Sequence, residues 1–442
     1  MRLIDSDLIS LPVCHTKRMA SKKRDEQFIQ GLEQDLKDIL SHLNPEPSKT
    51  RGQPTILPAL ALWAGMLVGV IRGFNAQLEI WRLLTQQGLW DFPRFPVSDD
   101  AVYKRLKNSS SDTFKIIFQQ VTLLLNLHFT TPVQQLAHFA SGVFALDEMT
   151  LDQIKKRLPS LRQTPQTVLP GKITALFDVR RQLWRHLEFQ DNPDQNERIA
   201  ARTMLEWLPS GSLILADLGY FGFAWFDALS DLGFHWVSRL RNKTSHTLIH
   251  TLYEANGVLD AIVWLGGYRA DQASHAVRLV SFTKNGVTWR YITNVLDPRV
   301  LSIREISVLY ARRWDIELMF NLVKTHLKLH LLWSSQTNVV LHQVFSVFTV
   351  AQVILGTRSE IASRAKVDVF DVSLDLMIRW LPRFAAGGDN PIEVMVERGR
   401  AAKIIRSASR MRWSSPDPSL GLYVWLLEGT VLLRQARYAG KV

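Results

Sequence analysis

Apolar residues recur every three or four positions through much of the first 140 residues, and this spacing predicts a run of amphipathic helices. The repeat is clearest over residues 25–43, where the apolar positions four apart are Phe28, Leu32, Leu36 and Leu40. A later helix is predicted to follow Ser98, which stands at an N-cap position, with Asp99 and Asp100 in the first turn. The beginning of the chain is therefore predicted to be helical.

Near residue 140 the pattern changes to short, continuous apolar runs bounded by turn residues, which predict buried strands. Such runs occupy residues 143–147, 172–179, 183–189 and 212–217, and helical periodicity covers 197–208. This order of strand, hairpin, helix and strand predicts an α/β fold, a mixed sheet flanked by helices. Short strands are predicted through most of 236–296, and a long helix over 302–328.

These changes divide the chain into three predicted parts. Residues 1–140 form a helical domain, and residues 141–380 form an α/β domain with a strand-rich insertion at about 236–296. Residues 381–442 form a helical C-terminal region. Its Trp425 and Leu426 are candidates for a dimer contact, with local core packing as the plainer alternative.

The net charge of the chain indicates what kind of partner the protein binds. Hydrophobic residues make up 46% of the chain and charged residues 21%, which is ordinary globular composition and excludes a disordered or fibrous protein. Lysine and arginine total 53 against 41 acids, a formal net charge of +12. Such an excess favours a polyanionic partner, above all nucleic acid.

The positive residues lie in several places rather than in one tract. Near the start they are Lys17, Arg18, Lys22, Lys23 and Arg24, and in the tail they are Lys403, Arg406, Arg410, Arg412, Arg434, Arg437 and Lys441. The basic helix predicted over 98–107 fits a helix-turn-helix reader or an ordinary surface helix. Likewise, the first cluster fits phosphate contacts or a solvated surface.

Cysteine use and hydropathy exclude other classes. Cys14 is the single cysteine, which excludes an intramolecular disulfide and any cysteine-built zinc or iron–sulfur site and favours a reducing compartment. Acidic residues near the start argue against an export signal. The uncharged stretch 56–71 is shorter than the roughly 20 residues of a membrane span, so a buried helix is predicted and no membrane contact is expected.

Two acids occupy positions typical of catalytic chemistry. The sequence has no phosphate-binding loop, dinucleotide glycine fingerprint or Gly-x-Ser-x-Gly elbow. Asp147 and Asp217, however, each end an apolar strand, where a carboxylate is disfavoured unless it is paired, hydrogen-bonded or bound to a metal. The two could share a divalent cation; alternatively, each only caps its strand or begins a turn.

A third set of residues lies on one face of the helix predicted over 302–328. At about 100° per residue, Tyr310, Arg313, Glu317 and Lys324 fall on a stripe roughly 60° wide. A phenol, a guanidinium, a carboxylate and an ammonium on one face can bind a metal and grip phosphates. The alternative is a solvated face with an Arg313–Glu317 pair, but the apolar neighbours Leu318, Phe320 and Leu322 indicate that the helix is packed.

This spacing, Tyr-x2-Arg-x3-Glu-x6-Lys, resembles the YREK motif of insertion sequence 4 family DDE transposases of the retroviral integrase superfamily. The run Ala216–Tyr220 resembles that family's Asp-x-Gly-Tyr strand end, and Thr293-Asn294 resembles its flanking segment. The resemblance covers roughly residues 140–360. It implies an RNase H-like catalytic domain over 141–380 carrying the β-rich insertion, a DNA-binding head over 1–140, and a helical tail.

The resemblance also implies site residues. Asp147, Asp217 and Glu317 would be the catalytic acids that hold two Mg2+ ions, with Mn2+ as a substitute. Phosphates near the cut would be held by Tyr310, Arg313 and Lys324, and a flipped base could stack on Trp236, Trp264 or Trp289. The family's first acid usually precedes glycine, whereas here Glu148 follows, so Glu148 remains a lesser candidate beside Asp147.

The implied function is a transposase that excises and inserts an insertion sequence by metal-dependent phosphoryl transfer after binding its terminal inverted repeats. Its partners would be transposon-end and target DNA and a second copy of the chain, without a small-molecule cofactor. Its location would be the bacterial cytoplasm, at the nucleoid. Two alternatives are a transposase-derived DNA-binding regulator without cleavage activity and a generic structure-selective nuclease.

Overall fold

The computed structural model describes residue 40 and residues 56–128, 136–151, 171–192, 197–267, 271–386, 390–407 and 415–438. The basic cluster at 17–24, Cys14 and most of the helix predicted over 25–43 lie outside the described residues. So do Arg410, Arg412 and Lys441 of the tail.

The first described elements are helices, as the periodicity predicts. They are α1 (Ala59–Ile71), α2 (Gln77–Arg82), α3 (Asp99–Asn108) and α4 (Asp112–His128). Ser98 is the N-cap of α3, because its hydroxyl accepts a hydrogen bond from the backbone N–H of Ala101 at 3.2 Å. The apolar stretch 56–71 contains α1, which is buried along nearly its whole length inside the protein.

Nine strands among the described residues form one mixed sheet in the order β3-β2-β1-β4-β5-β9-β8-β7-β6. Their bounds are β1 (Val143–Thr150), β2 (Lys172–Asp178), β3 (Leu183–Gln190), β4 (Leu213–Ala216), β5 (His235–Arg239), β6 (His246–Ala255), β7 (Val258–Leu265), β8 (Val277–Lys284) and β9 (Val287–Thr293). Helices α5 (Glu197–Met204) and α6 (Phe223–Asp231) precede β4 and β5, respectively.

The first five strands mix both directions of pairing. β1 is antiparallel to β2 but parallel to β4, and β4 is parallel to β5, so β1 lies near the centre of this half. That position explains its continuous apolar sequence, since a central strand is covered on both faces. Strands β6–β9 belong to the same sheet, because β9 pairs antiparallel with β5.

Helices α7 (Ile303–Arg312), α8 (Asp315–Asn321) and α9 (Thr337–Ala365) follow the sheet, and α10 (Leu374–Ala386) and α11 (Pro391–Arg398) come after them. Among the described residues, α9 is the one helix long and apolar enough to cross a membrane, but 83% of its most apolar window is buried. It packs against α1, α4 and α11 and shares a hydrophobic core with β1–β3. Helix α9 is therefore a core helix.

Two predictions about helices are wrong in part. The long helix over 302–328 is interrupted, because the N–H of Arg313 is shared between the carbonyls of Leu309 and Tyr310 and the N–H of Trp314 bonds three residues back, to Ala311. A π-helical turn then follows α8 at Leu322–His326. The tail also departs from its prediction. Beyond α11, the described residues 415–438 contain no α-helix; they are irregular, with a short 3-10 turn at Leu420–Leu422. The two prolines Pro416 and Pro418 are incompatible with a helix interior there.

Candidate active site

The sheet register brings two acids together. In the parallel ladder of β1 and β4, Leu146 pairs with Ala216, so Asp147 and Asp217 follow side by side on neighbouring strands. β4 ends at Ala216, and Asp217 begins a 3-10 turn. Their chain separation is bridged by the β2–β3 hairpin and α5, and the pairing of β1 with β4 places both acids beside the carboxyl end of β4, in the middle of this half of the sheet.

The third acid comes from α8, which packs against β1. One guanidinium joins all three acids: Arg313 Nη2 lies 2.9 Å from a carboxylate oxygen of Glu317 and 3.8 Å from one of Asp217. Its Nη1 lies 3.9 Å from a carboxylate oxygen of Asp147. Residues from three separate segments of the sequence therefore converge on one point.

The surroundings of the acids differ. The Arg313 side chain is 8% exposed and that of Asp147 is 20% exposed, whereas Asp217 is 49% exposed. Burial raises the pKa of the Asp147 carboxyl to about 6, although the Glu148 backbone N–H and Arg313 act in the opposite direction. The cluster is thus half-buried, with its open side at Asp217.

Glu148 points away from this cluster. Its carboxylate lies 2.7 Å from the Lys172 ammonium and accepts a hydrogen bond from the Thr174 hydroxyl at 2.9 Å, both on β2. Successive strand side chains alternate between faces, which explains the separation. The structure therefore brings Asp147, and not Glu148, together with Asp217 and Glu317.

An aromatic row extends from the cluster along the sheet. The Tyr310 ring lies 5.7 Å from the Arg313 guanidinium and 5.3 Å from the ring of Tyr291, which stacks beside Trp289. Burial raises the pKa of Tyr310 to about 12, so its hydroxyl stays protonated at neutral pH. The Arg239 guanidinium lies over Trp289 at 5.2 Å.

The three tryptophan candidates have different environments. Trp236 is 2% exposed, stacks on Phe226, and donates its indole N–H to Ser230, so it is a core residue unavailable to a base. Trp264 is covered by the guanidinium of Arg434 from the tail, at 4.6 Å. Only Trp289 of the three lies on the row that leads to the acids.

Lys324 lies beyond α8 in the chain, in the π-helical turn Leu322–His326, and its carbonyl oxygen accepts a hydrogen bond from His330. Two neighbours of the site were missed at the sequence level. Arg239 is significant because β5 lies beside β4 and β9, which no local pattern reveals. Trp314 lies next to Arg313 and is 52% exposed, an unusual exposure for so large an apolar side chain.

Carboxylate oxygens suit a hard divalent cation, and these three acids converge, so the residues present fit such an ion. Among the described residues, however, no three His, Cys, Asp or Glu side chains stand in a metal-binding arrangement. The reason is visible in the geometry, since Arg313 nitrogens lie among the three carboxylates. The Arg313 guanidinium contacts all three carboxylates.

Comparison with known proteins agrees with this chemistry. Residues 165–352 match the family model described as "Transposase DDE domain", a range that includes Asp217, Arg313 and Glu317 but begins after Asp147. Over 183 residues the chain is 25% identical to "Putative transposase y4zB" of Sinorhizobium fredii, an alignment covering 40% of this chain and 50% of that protein. The chain thus spans about half the length of the curated relative that it matches. Residues 165–352 are therefore similar to a transposase DDE domain.

Proposed function

We propose that the protein is a DNA transposase that cuts and joins DNA at the ends of an insertion sequence. The observation that carries the proposal is the convergence of Asp147, Asp217 and Glu317 on one half-buried point beside the carboxyl end of β4. An ordinary structural core has little use for three acids there, because burying carboxylates is costly unless they are paired or bound to a metal.

In the proposed assignment, the three acids bind divalent cations, with Mg2+ as the ion and Mn2+ as its substitute. Such ions, when bound, stabilise both the attacking and the leaving oxygen of an in-line phosphoryl displacement. The residues of this chain then have two tasks. The acids would hold the ions next to the reacting phosphate, and the exposed side of the cluster at Asp217 admits the attacking water or 3′-hydroxyl.

Phosphate binding is assigned to Tyr310, Arg313 and Lys324. A protonated tyrosine hydroxyl, a guanidinium and an ammonium are all donors to phosphate oxygens, and none carries negative charge at neutral pH. Trp289 is the proposed stacking surface for a base displaced near the cut, since it is half-buried beside Arg239 at the end of the aromatic row.

The remaining parts of the chain are proposed to hold DNA and a second copy. The order β3-β2-β1-β4-β5, in which β2 alone of these five strands is antiparallel to the others, supports the assignment of an RNase H-like catalytic domain. The helices before β1 are proposed to contact the terminal inverted repeats, and synapsis of two ends would require a homodimer. The protein is proposed to act in the bacterial cytoplasm.

The test is cleavage of duplex DNA carrying the element's terminal inverted repeats in the presence of Mg2+ or Mn2+. Asp147→Asn, Asp217→Asn and Glu317→Gln are each expected to abolish strand cleavage while end binding is retained. The matched control is Glu148→Gln, which removes a neighbouring acid from the opposite face and is assayed at a temperature where circular dichroism shows it folded. This control is expected to cleave.

The outcomes separate the alternatives. Full cleavage by Glu317→Gln would refute the assignment of the acids, and loss of cleavage in folded Glu148→Gln would move the first acid to Glu148. End binding without cleavage by the wild-type protein would favour a DNA-binding regulator. Equal cleavage of DNA without the inverted repeats would favour a generic nuclease.

The phosphate contacts have a test of their own. Lys324→Ala is expected to weaken end binding and to reduce the slope of log affinity against log salt by about one, because one phosphate contact is lost. The measurement is end binding by fluorescence anisotropy across a salt series. An unchanged slope would remove Lys324 from the phosphate-binding set.

A further inference from the structure

Arg313 stands where a bound cation would need to be. The same guanidinium nitrogen lies 2.9 Å from Glu317 and 3.8 Å from Asp217, so it lies between the two carboxylates that would share an ion. Divalent cations of this kind need carboxylate oxygens at about 2.0–2.6 Å. The guanidinium nitrogen and a divalent cation therefore cannot both occupy the space between these carboxylate oxygens.

Electrostatic repulsion also prevents Arg313 and a divalent cation from sharing this site. A guanidinium is always protonated in a protein, and it would stand within a few ångströms of a divalent cation in a half-buried site. Repulsion between two positive groups is strong at that distance, because few water molecules screen them. Metal binding and the present position of Arg313 therefore compete for the same carboxylates.

The surroundings of Arg313 allow it to leave. Its Nε and Nη1 are buried without a hydrogen-bond partner among the described residues, so departure would break few hydrogen bonds. Two aromatic rings flank the guanidinium, those of Tyr310 and Trp314, each at 5.7 Å. Arg313 also lies at the interruption between α7 and α8, where the backbone bonding is irregular.

We propose that Arg313 is a built-in counterion that holds Asp147, Asp217 and Glu317 together in the metal-free protein and leaves these carboxylates when a divalent cation binds. The inference rests on the proposed function, since it concerns the same three acids. A guanidinium released in this way can donate to a DNA phosphate. Metal binding and the proposed phosphate contact of Arg313 then favour each other.

A different reading makes Arg313 a fixed residue that never exchanges with a cation. The two readings predict opposite metal affinities for a variant without the guanidinium. If Arg313 competes, its removal strengthens cation binding. If Arg313 instead positions the acids for the cation, its removal weakens binding, because three mutually repelling carboxylates move apart.

The first experiment measures Mn2+ binding to the DNA-free protein by electron paramagnetic resonance of free Mn2+. Arg313→Gln is expected to bind Mn2+ at least about tenfold more tightly than wild type. The matched control is Arg241→Gln, which removes a positive charge nearby: Arg241 is exposed and donates to the carbonyl oxygen of Leu218, next to Asp217. This control is expected to bind Mn2+ within about twofold of wild type.

Each outcome decides the matter. Equal or weaker Mn2+ binding by Arg313→Gln would overturn the counterion role and leave the proposed metal-dependent transposase intact. An equal gain in Arg241→Gln would also overturn it, because general charge rather than Arg313 would be responsible. No Mn2+ binding by wild type, Arg313→Gln or wild type on transposon-end DNA would refute the proposed function itself, and the counterion role with it.

A second experiment uses the wild-type chain, so that it does not depend on the folding of a variant. Phenylglyoxal modification of arginines is followed by mass spectrometry with and without saturating Mg2+. Buried Arg313 is expected to react slowly without Mg2+ and at least about threefold faster with it, relative to exposed Arg241. An unchanged Arg313 rate in protein that binds the cation would overturn the inference.

Discussion

A buried ion pair in the strand-rich part of the sheet provides a sharp test of what holds the helices of the candidate site in place. Arg278 on β8 and Asp260 on β7 are both 0% exposed, and the guanidinium donates to both carboxylate oxygens at 2.7 and 2.6 Å. Its remaining arm donates to the carbonyl oxygen of Leu301, just before α7. Tyr423 of the tail hydrogen-bonds Asp260 as well.

The expected cost of breaking the pair follows from this burial. Asp260→Asn keeps the shape but leaves the guanidinium buried without an opposite charge, and such single removals cost about 3–5 kcal/mol. The double variant Asp260→Asn/Arg278→Met removes both charges, and its cost is expected to be smaller by at least about 2 kcal/mol than the sum of the single costs. Each side chain of the pair is thus expected to stabilise the fold only while the other is present.

The assay is urea unfolding of the wild type, Asp260→Asn, Arg278→Met and the double variant, followed by tryptophan fluorescence and far-ultraviolet circular dichroism. Because Arg278 also holds Leu301, Asp260→Asn is expected to weaken cleavage at transposon ends at temperatures where the protein remains folded. Additive single and double costs would refute the view that the two side chains act as a buried pair. Such additivity would show that solvent reaches the charges despite their burial.

Three further predictions concern other side chains. Burial raises the pKa of Asp178 to about 6, so the carboxyl holds its proton more tightly in the folded state than in the unfolded state. The protonated carboxyl therefore stabilises the fold at low pH, and this contribution to the free energy of unfolding is lost as the pH rises from about 4 through about 6. In urea titrations, the free energy of unfolding of the wild type is expected to fall by about 3 kcal/mol across that pH range because of Asp178. Asp178→Asn is expected to remove this fall, and an unchanged fall in the variant would contradict the assignment. Trp289→Ala is expected to weaken end binding about tenfold with little loss of stability, whereas Trp236→Ala should cost about 3–5 kcal/mol; equal stability losses would contradict their different burial. Glu148→Gln breaks the buried ion pair between Glu148 and Lys172 and is expected to cost about 3 kcal/mol, which an unchanged urea midpoint would refute.

The sequence by itself determined the features that depend on neighbours along the chain. The N-cap at Ser98 could be predicted because capping involves residues three apart. The strands carrying Asp147 and Asp217 could be predicted because apolar runs of that length and composition are buried. The closeness of Arg313 and Glu317 followed from helical spacing, and it survived the interruption after Arg312.

Only the tertiary structure decided which of these features meet. The pairing of β1 with β4 places Asp147 beside Asp217, and the strand order β5-β9 brings Trp289 rather than Trp236 to the aromatic row. The irregular, non-helical course of the tail was missed because it depends on distant contacts, such as Arg434 on Trp264. Strand order, and with it the central position of Arg313 among three acids, is fixed by packing between segments far apart in the chain. Local spacing carries no information on those contacts.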